Sequence, residues 1–304
     1  MLRTTTHTAA LLSATAIGAQ AQDLRIALQS DADVLDPDQS RTFVGRIVYT
    51  ALCDKLVDIT PELELVGQLA TDWSWNEDQT ELTLQLREGV TFHDGEPFNA
   101  EAVAYNIERS QTLEESRRKS EVASITGTEV TGEHEIVIRV DEPDATLLAQ
   151  FADRAGMMIS PAAAEEAGAD FGLNPVCSGP FAFDNRVAQD RIVLTKFDEY
   201  WNADEINFES VTYLPIPDNT VRFANLQSGD VDIIDRLAAT DLAQAESASD
   251  VQVERAVSLG YQGMTVNVGN GDRADSPIGQ NAAVRRALNL AVDRNALNQV
   301  VFNG

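Results

Sequence analysis

Basic residues are scarce in this chain: 22 Lys and Arg stand against 49 Asp and Glu over 304 residues, a formal charge of −27 at pH 7. A field of that sign repels phosphates, which excludes nucleic acid as a partner. The acidic residues are spread along the chain, not gathered in a tail, and that distribution serves solubility. Of the three histidines only His93 and His134 lie beyond the first 21 residues, and the two cysteines can pair with each other, which leaves too few His and Cys ligands for a metal centre. The sequence contains no G-x-x-x-x-G-K phosphate loop, no G-x-G-x-x-G after a strand and no G-x-S-x-G elbow. Nucleotide-binding and serine-hydrolase readings therefore have no motif to rest on. Paired carboxylates for glycoside hydrolysis remain open, because among so many acids a pair carries no information.

What is present suffices for real cores: 43% of the residues are apolar, enough for two compact domains or one large one. The first 21 residues differ from the rest. Arg3 precedes the small apolar run "AALLSATAIGA", and Ala19-Gln20-Ala21 has the A-x-A form of a signal-peptidase site, predicting a leader over 1–21 and a mature chain from Gln22. The run is too short to span a bilayer, and no cysteine follows it as a lipid anchor, so a soluble periplasmic protein is expected. Losing Arg3 takes the formal charge from −27 to −28. In an oxidising compartment the even count permits a bond between Cys53 and Cys177, worth roughly 4 to 5 kcal/mol by chain entropy; two separate buried thiols fit the sequence as well.

Period and punctuation place the elements. In "DLRIALQS" Leu24, Ile26 and Leu28 alternate with polar neighbours, predicting a strand that runs into the turn-rich "DADVLDPDQS". Val44, Ile47, Val48, Ala51, Leu52 and Leu56 recur at close to 3.6 residues, predicting a helix over 43–59. From Glu81 the period is two: Leu82, Leu84 and Leu86 share a face, Glu88-Gly89 turns, and Val90 and Phe92 resume the alternation, so a hairpin is expected. Asn99 is placed to cap a helix with Glu101 in its first turn and Ala100, Val103 and Ile107 on one face. A second strand pair should turn at Gly132, with Ile136, Ile138 and Val140 on one side. Further on, "DRIVLTKF" and "SVTYLPI" read as strands, "NTVRFANLQS" as a helix closed by Gly229 and "DVDIID" as a strand, the order of an α/β crossover. "ATDLAQAES", "VQVERAV" and "GYQGMTVNV" continue as helix, strand and strand.

His93, Asp94 and Glu96 in "LREGVTFHDGEPF" are the one cluster suited to metal or acid-base chemistry, but Asp94-Gly95 is a turn dipeptide and Pro97 stops the strand. The turn explains these residues without chemistry. The longer stretch "LREGVTFHDGEPFNAEAVAYNIER" resembles the signature region of the family 5 extracellular solute-binding proteins, the peptide- and nickel-type receptors of ABC importers. "LDPDQS", "ALCDKLVD", "LATDWSWNEDQTELTLQLR", "NPVCSGPF", "FDEYWN", "TVRFANLQSGDVDII" and "VRRALNLAVDRNAL" agree in order.

The resemblance implies an α/β fold of the type II periplasmic-binding-protein kind, two lobes with an extra subdomain. It divides the chain into signal peptide (1–21), lobe I first part (22–60), subdomain (61–164), lobe I second part (165–262) and the start of lobe II (263–304). Family members continue beyond the last residue here, so the second lobe is expected to be incomplete, with the apolar face of Val284, Leu288 and Val292 lacking its partner and poorly ordered or prone to aggregate. The implied function is capture of a short peptide or related compound between lobes that close about a hinge, and its delivery by a monomeric receptor to an inner-membrane permease, with no cofactor, no metal and no chemistry. A metal chelate, an oligosaccharide or an opine-like solute are alternative ligands; a secreted hydrolase and a fragment without function are readings from other classes. By the same resemblance Arg41, Thr42 and Phe43, after "LDP", face ligand, Arg41 for a carboxylate and Phe43 for an apolar group. Arg117 and Arg118, with Lys119, form a local positive site; Ser178 and Gly179 offer hydroxyl and backbone contacts; Tyr261 and Gln262 lie at the hinge crossing. Trp201 is expected in a core, and Trp73 and Trp75 in subdomain packing.

Overall fold

The computed structural model describes residues 22–256 and 260–304. The expected leader and the last residue of "VQVERAV" lie outside the described residues. The chain divides into two compact units, one ending at Pro215 and one starting at Ile216.

In chain order the first unit comprises strand β1 (Asp23–Leu28), helix α1 (Phe43–Leu52), strands β2 (Val57–Ile59), β3 (Leu65–Gly67), β4 (Ala70–Trp75) and β5 (Glu81–Leu86), and helix α2 (Ala100–Thr112). Strands β6 (Ile125–Gly132) and β7 (Glu135–Val140), helices α3 (Leu147–Phe151) and α4 (Pro161–Ala167), and strands β8 (Phe181–Val187), β9 (Arg191–Lys196) and β10 (Ser210–Pro215) follow. β1 finds its neighbour far along the sequence, pairing in parallel with β10 from Asp23 opposite Ser210 to Leu28 opposite Pro215. β9 and β8 extend that sheet antiparallel. A separate antiparallel sheet runs β4-β5-β7-β6.

Each sheet has its own core. Leu28 to Cys53 and Met157 to Tyr213 supply one, in which α1 buries Val44, Val48, Tyr49 and Leu52. Leu56 to Met158 supply the other, where Leu82, Leu84, Ile136 and Ile138 meet Val103 and Ile107 of α2. The alternation of β5 and β7 and the 3.6 period of α2 are thus apolar faces turned to one interior. Asn99 caps α2, accepting from the Ala102 amide at 3.0 Å. Leu56 and Val57 pack in the second of these cores, here called the subdomain core, and Met157 and Ala164 in the first, the lobe core.

Two expected elements end differently. The helix from Phe43 stops at Leu52, not 59, because remote segments take its next hydrogen bonds. Gly179 donates to the Leu52 carbonyl at 2.8 Å and Leu56 donates to Gly156 at 2.8 Å, Cys53 is extended, and β2 then pairs with β3. Nor do Val90 and Phe92 form a hairpin with β5, whose two edges are filled by β4 and β7. They fold into a tight loop in which Phe92 donates to Glu96 at 2.8 Å and Phe98 to Val90 at 2.9 Å.

The second unit contains α5 (Asn219–Ser228), α6 (Leu242–Ser247), α7 (Pro277–Gln280), α8 (Ala282–Ala291) and α9 (Arg294–Phe302). Asp218 caps α5, and Gly229 closes it with φ 76°, a left-handed conformation that glycine adopts without strain. Of "DVDIID" only Ile233–Ile234 is a strand. Residues 251–256 and 260–268 form none, for among the described residues no strand lies beside them to complete a ladder. Apart from the half-buried Val284, the apolar side chains of α8 and α9 are exposed, Leu290 at 74% and Val300 at 81%. Among the described residues no helix is long and apolar enough to cross a membrane.

Candidate functional site

The segment between β1 and α1 is short, polar and fixed from within. The Asp33 carboxylate accepts from the Ser40 hydroxyl at 2.8 Å, the Arg41 amide at 2.8 Å and the Thr42 hydroxyl at 3.1 Å. Burial acts to raise the Asp33 pKa, but these hydrogen bonds outweigh it and hold the carboxyl below its ordinary value. Asp36 accepts from the Asp38 amide at 2.9 Å and from Gln39 at 2.8 Å. Thr42 then caps α1, its hydroxyl accepting from the Gly45 amide at 3.1 Å.

Three arginines from the subdomain side hold the same segment from behind. Arg109 of α2 grips both Asp36 oxygens at 3.1 and 2.7 Å and also pairs with Asp38, which takes a further bond from Ser110 at 2.6 Å. Arg118 donates to the Ser40 carbonyl at 3.2 Å and pairs with Glu121. Arg154 donates to the Thr42 carbonyl at 3.3 Å and to Ser40 at 3.5 Å. All three are buried. The corner leaves two side chains unused: Arg41 is exposed with no side-chain partner among the described residues, and Phe43 is 68% exposed. A lone guanidinium beside an open phenyl ring can meet a carboxylate and an apolar group together.

The other predicted positions divide. Arg117 is exposed and ties only its amide to the corner, donating to Asp38 at 2.7 Å. Arg118 is a correction: at 5% exposure it is no surface cation, because its partners are an acid and a carbonyl inside the protein. Ser178 is also a correction, fully buried with its hydroxyl bonded to Met158 at 3.3 Å. Gly179 serves close packing: a Cβ there would lie 2.5 Å from the Leu52 carbonyl carbon. Tyr261 and Gln262 are exposed on the second unit. The structure therefore brings Arg41, Thr42 and Phe43 together with the 117–118 segment, while Ser178 and Gly179 sit under the far end of α1. Asp33, Asp36, Asp38, Arg109 and Arg154 escaped the sequence reading. Their one signal was acidic spacing in "DADVLDPD" ahead of arginines in a cation-poor chain.

His93 is consumed by structure. Its Nδ1 accepts from the Cys177 amide at 3.3 Å, so Nε2 carries the proton and donates to the Gly179 carbonyl at 3.0 Å. Burial lowers its pKa, which suits that neutral ring. Beside it Cys53 and Cys177 are joined in a disulfide with Cα atoms 4.9 Å apart. Asp94 accepts from Ser160 at 2.5 Å, which caps α4.

Where lobe and subdomain cores meet, Asp54 is buried and receives three donors: Trp201 at 2.6 Å, Gln68 at 2.9 Å and Tyr200 at 3.2 Å. The Arg87 guanidinium lies 3.7 Å above the Trp201 ring, a cation–π contact. Burial pushes the Asp54 carboxyl up to about 6 against those donors and the nearby Lys55 and Arg87 charges. Trp201 is thus a brace at the junction, and Trp73 and Trp75 pack on the subdomain core.

Residues 64–304 match the middle region of the bacterial extracellular solute-binding proteins, family 5. The chain belongs to that family. This family 5 protein is 31% identical over 285 residues to the glutathione-binding protein GsiB of Escherichia coli O157:H7, covering 93% of this chain and 54% of the relative. It spans about half the length of the curated relatives it matches. Solved structures share its fold. A dipeptide-binding protein of Pseudoalteromonas sp. SM9913 in complex with Met-Leu superposes with a TM-score of 0.79 at 22% identity, over 91% of this chain and 58% of the other. NikZ of Campylobacter jejuni in complex with Ni(L-His) gives 0.80 at 21% identity, over 91% and 54%. AgaA of A. tumefaciens R10 in complex with agropinic acid gives 0.71 at 26% identity, over 75% and 46%.

Proposed function

We propose that this chain is the solute-capturing part of a periplasmic receptor for short peptides or peptide-like compounds, which it hands unchanged to an inner-membrane ABC permease. The observation that carries the reading is the corner at 41–43. An exposed cation and an exposed aromatic ring stand on a backbone held by Asp33, Arg118 and Arg154, so ligand contact costs little further ordering. A peptide presents the complementary groups, a terminal carboxylate and apolar side chains. Relatives named for glutathione and a fold neighbour holding Met-Leu support that class of ligand. Binding without chemistry fits the one cluster suited to acid-base work being spent on structure: away from the corner, His93 of the "HDGE" turn has both ring nitrogens committed to backbone.

Titration calorimetry with glutathione and with Met-Leu tests the reading, with the peptide recovered afterwards and weighed by mass spectrometry. Binding with the peptide intact is expected, and Arg41→Ala should weaken it about tenfold or more, the loss of one charge-assisted hydrogen bond. Equal affinity in Arg41→Ala would sink the site; a cleaved peptide would refute the receptor.

A further inference from the structure

We propose that Arg118 and Arg154 are positioning residues for ligand capture: they hold the Ser40 and Thr42 carbonyls from behind and so present Arg41 and Phe43 in one fixed arrangement. The proposal rests on the reading of the 41–43 corner as ligand-facing. Both arginines come from the inserted subdomain, 78 and 112 residues along the chain from the carbonyls they hold, so the subdomain reaches under the corner and sets its backbone.

Stability does not account for the arrangement. Arg118 and Arg154 are both buried and each leaves its Nε without a hydrogen-bond partner. Burial, and next the neighbouring Arg118 charge, lower the pKa of Arg154. Each has an acid at hand, Glu121 for Arg118 and Asp153 at 3.7 Å for Arg154, but buried ion pairs add little net stability, and apolar side chains of similar volume commonly do as well or better. What the guanidinium groups supply is direction. Each carbonyl is pinned by a donor of fixed geometry, which sets the peptide plane between Ser40 and Arg41 and the one between Thr42 and Phe43. Asp33 fixes the same stretch from its other side through the Arg41 amide and the Ser40 and Thr42 hydroxyls. A backbone held between an acid and two cations has little freedom left, whereas the two side chains it carries have no other work.

The test is Arg154→Met, with Arg154→Lys as the conservative variant, in the whole protein. The methionine removes both carbonyl bonds, the pairing with Asp153 and the repulsion with Arg118. Amide exchange followed by mass spectrometry should show the 40–45 segment exchanging about tenfold faster, with exchange elsewhere unchanged and the melting temperature held or raised; the lysine should restore protection in part. Affinity for glutathione or Met-Leu should fall, and Arg154→Met should cost less on top of Arg41→Ala than in the wild type, since part of its effect passes through Arg41. Unchanged exchange at 40–45 would overturn the proposal. So would faster exchange throughout the subdomain with a lower melting temperature, because Arg154 would then be an ordinary fold stabiliser. Equal binding by wild type and Arg41→Ala, by contrast, removes the site reading itself, and the exchange result tells the two failures apart.

Discussion

Asp54 should make the protein less stable as pH rises through the mildly acidic range, the opposite of the usual carboxylate. Its ordinary value is 3.8 and in the fold it is about 6, so between those limits the native state binds more protons than the unfolded chain. Stability then falls with rising pH across that window and is flat above it. The gap of about two units corresponds to about 3 kcal/mol. Three donors converge on the carboxylate, yet they only offset part of the cost of burying it. The assay is urea unfolding by circular dichroism at half-unit steps from pH 4 to pH 7, on the wild type and Asp54→Asn. Other acids and His93 titrate in both proteins and cancel in the difference. Asparagine turns a donor toward a donor, which shifts the whole curve by a constant and leaves the slope interpretable. Wild-type stability minus that of Asp54→Asn should fall by about 2.5 kcal/mol between pH 4 and pH 7, most of that gap. A flat or rising difference would refute the reasoning.

Gly179→Ala should cost about 1 to 3 kcal/mol by overpacking, because its Cβ would sit 2.5 to 2.8 Å from Leu52 and Cys53 backbone atoms; an unchanged melting temperature would show that α1 can shift aside. Cys53→Ala with Cys177→Ala, or reduction of the wild type, should lower stability by about 2 to 5 kcal/mol, since the bond closes a separation of 124 residues. A urea midpoint that is the same with and without reductant would count against that bond.

Local pattern and remote contact explain which parts of this fold could be read in advance. Asn99, Glu101 and the 100-103-107 stripe suffice to announce α2, and the alternation of Ile136, Ile138 and Val140 announces β7, because cap, dipole and burial are all written within a few residues. The helix from Phe43 had the right period through Leu56, but its end was decided by Gly156 and Gly179, more than 90 residues away. Arg118 misled for the same reason. In a run such as "SRRKS" a cation looks solvated, and only the fold shows that Ser40 and Glu121 enclose it. In the candidate site the resemblance named Arg41 and Phe43, which the structure leaves exposed, whereas the arginines behind them were hidden, since a buried ion pair has no periodicity.

The chain leaves the lobe core after Cys53 and returns to it at Met157, and the bond from Cys53 to Cys177 spans the whole excursion. A pull applied to the ends of the lobe therefore passes through sulfur and leaves residues 54–176 without load. The inserted subdomain is sheltered from traction while the bridge stands; heat or denaturant can still melt it, and reduction exposes it to force for the first time.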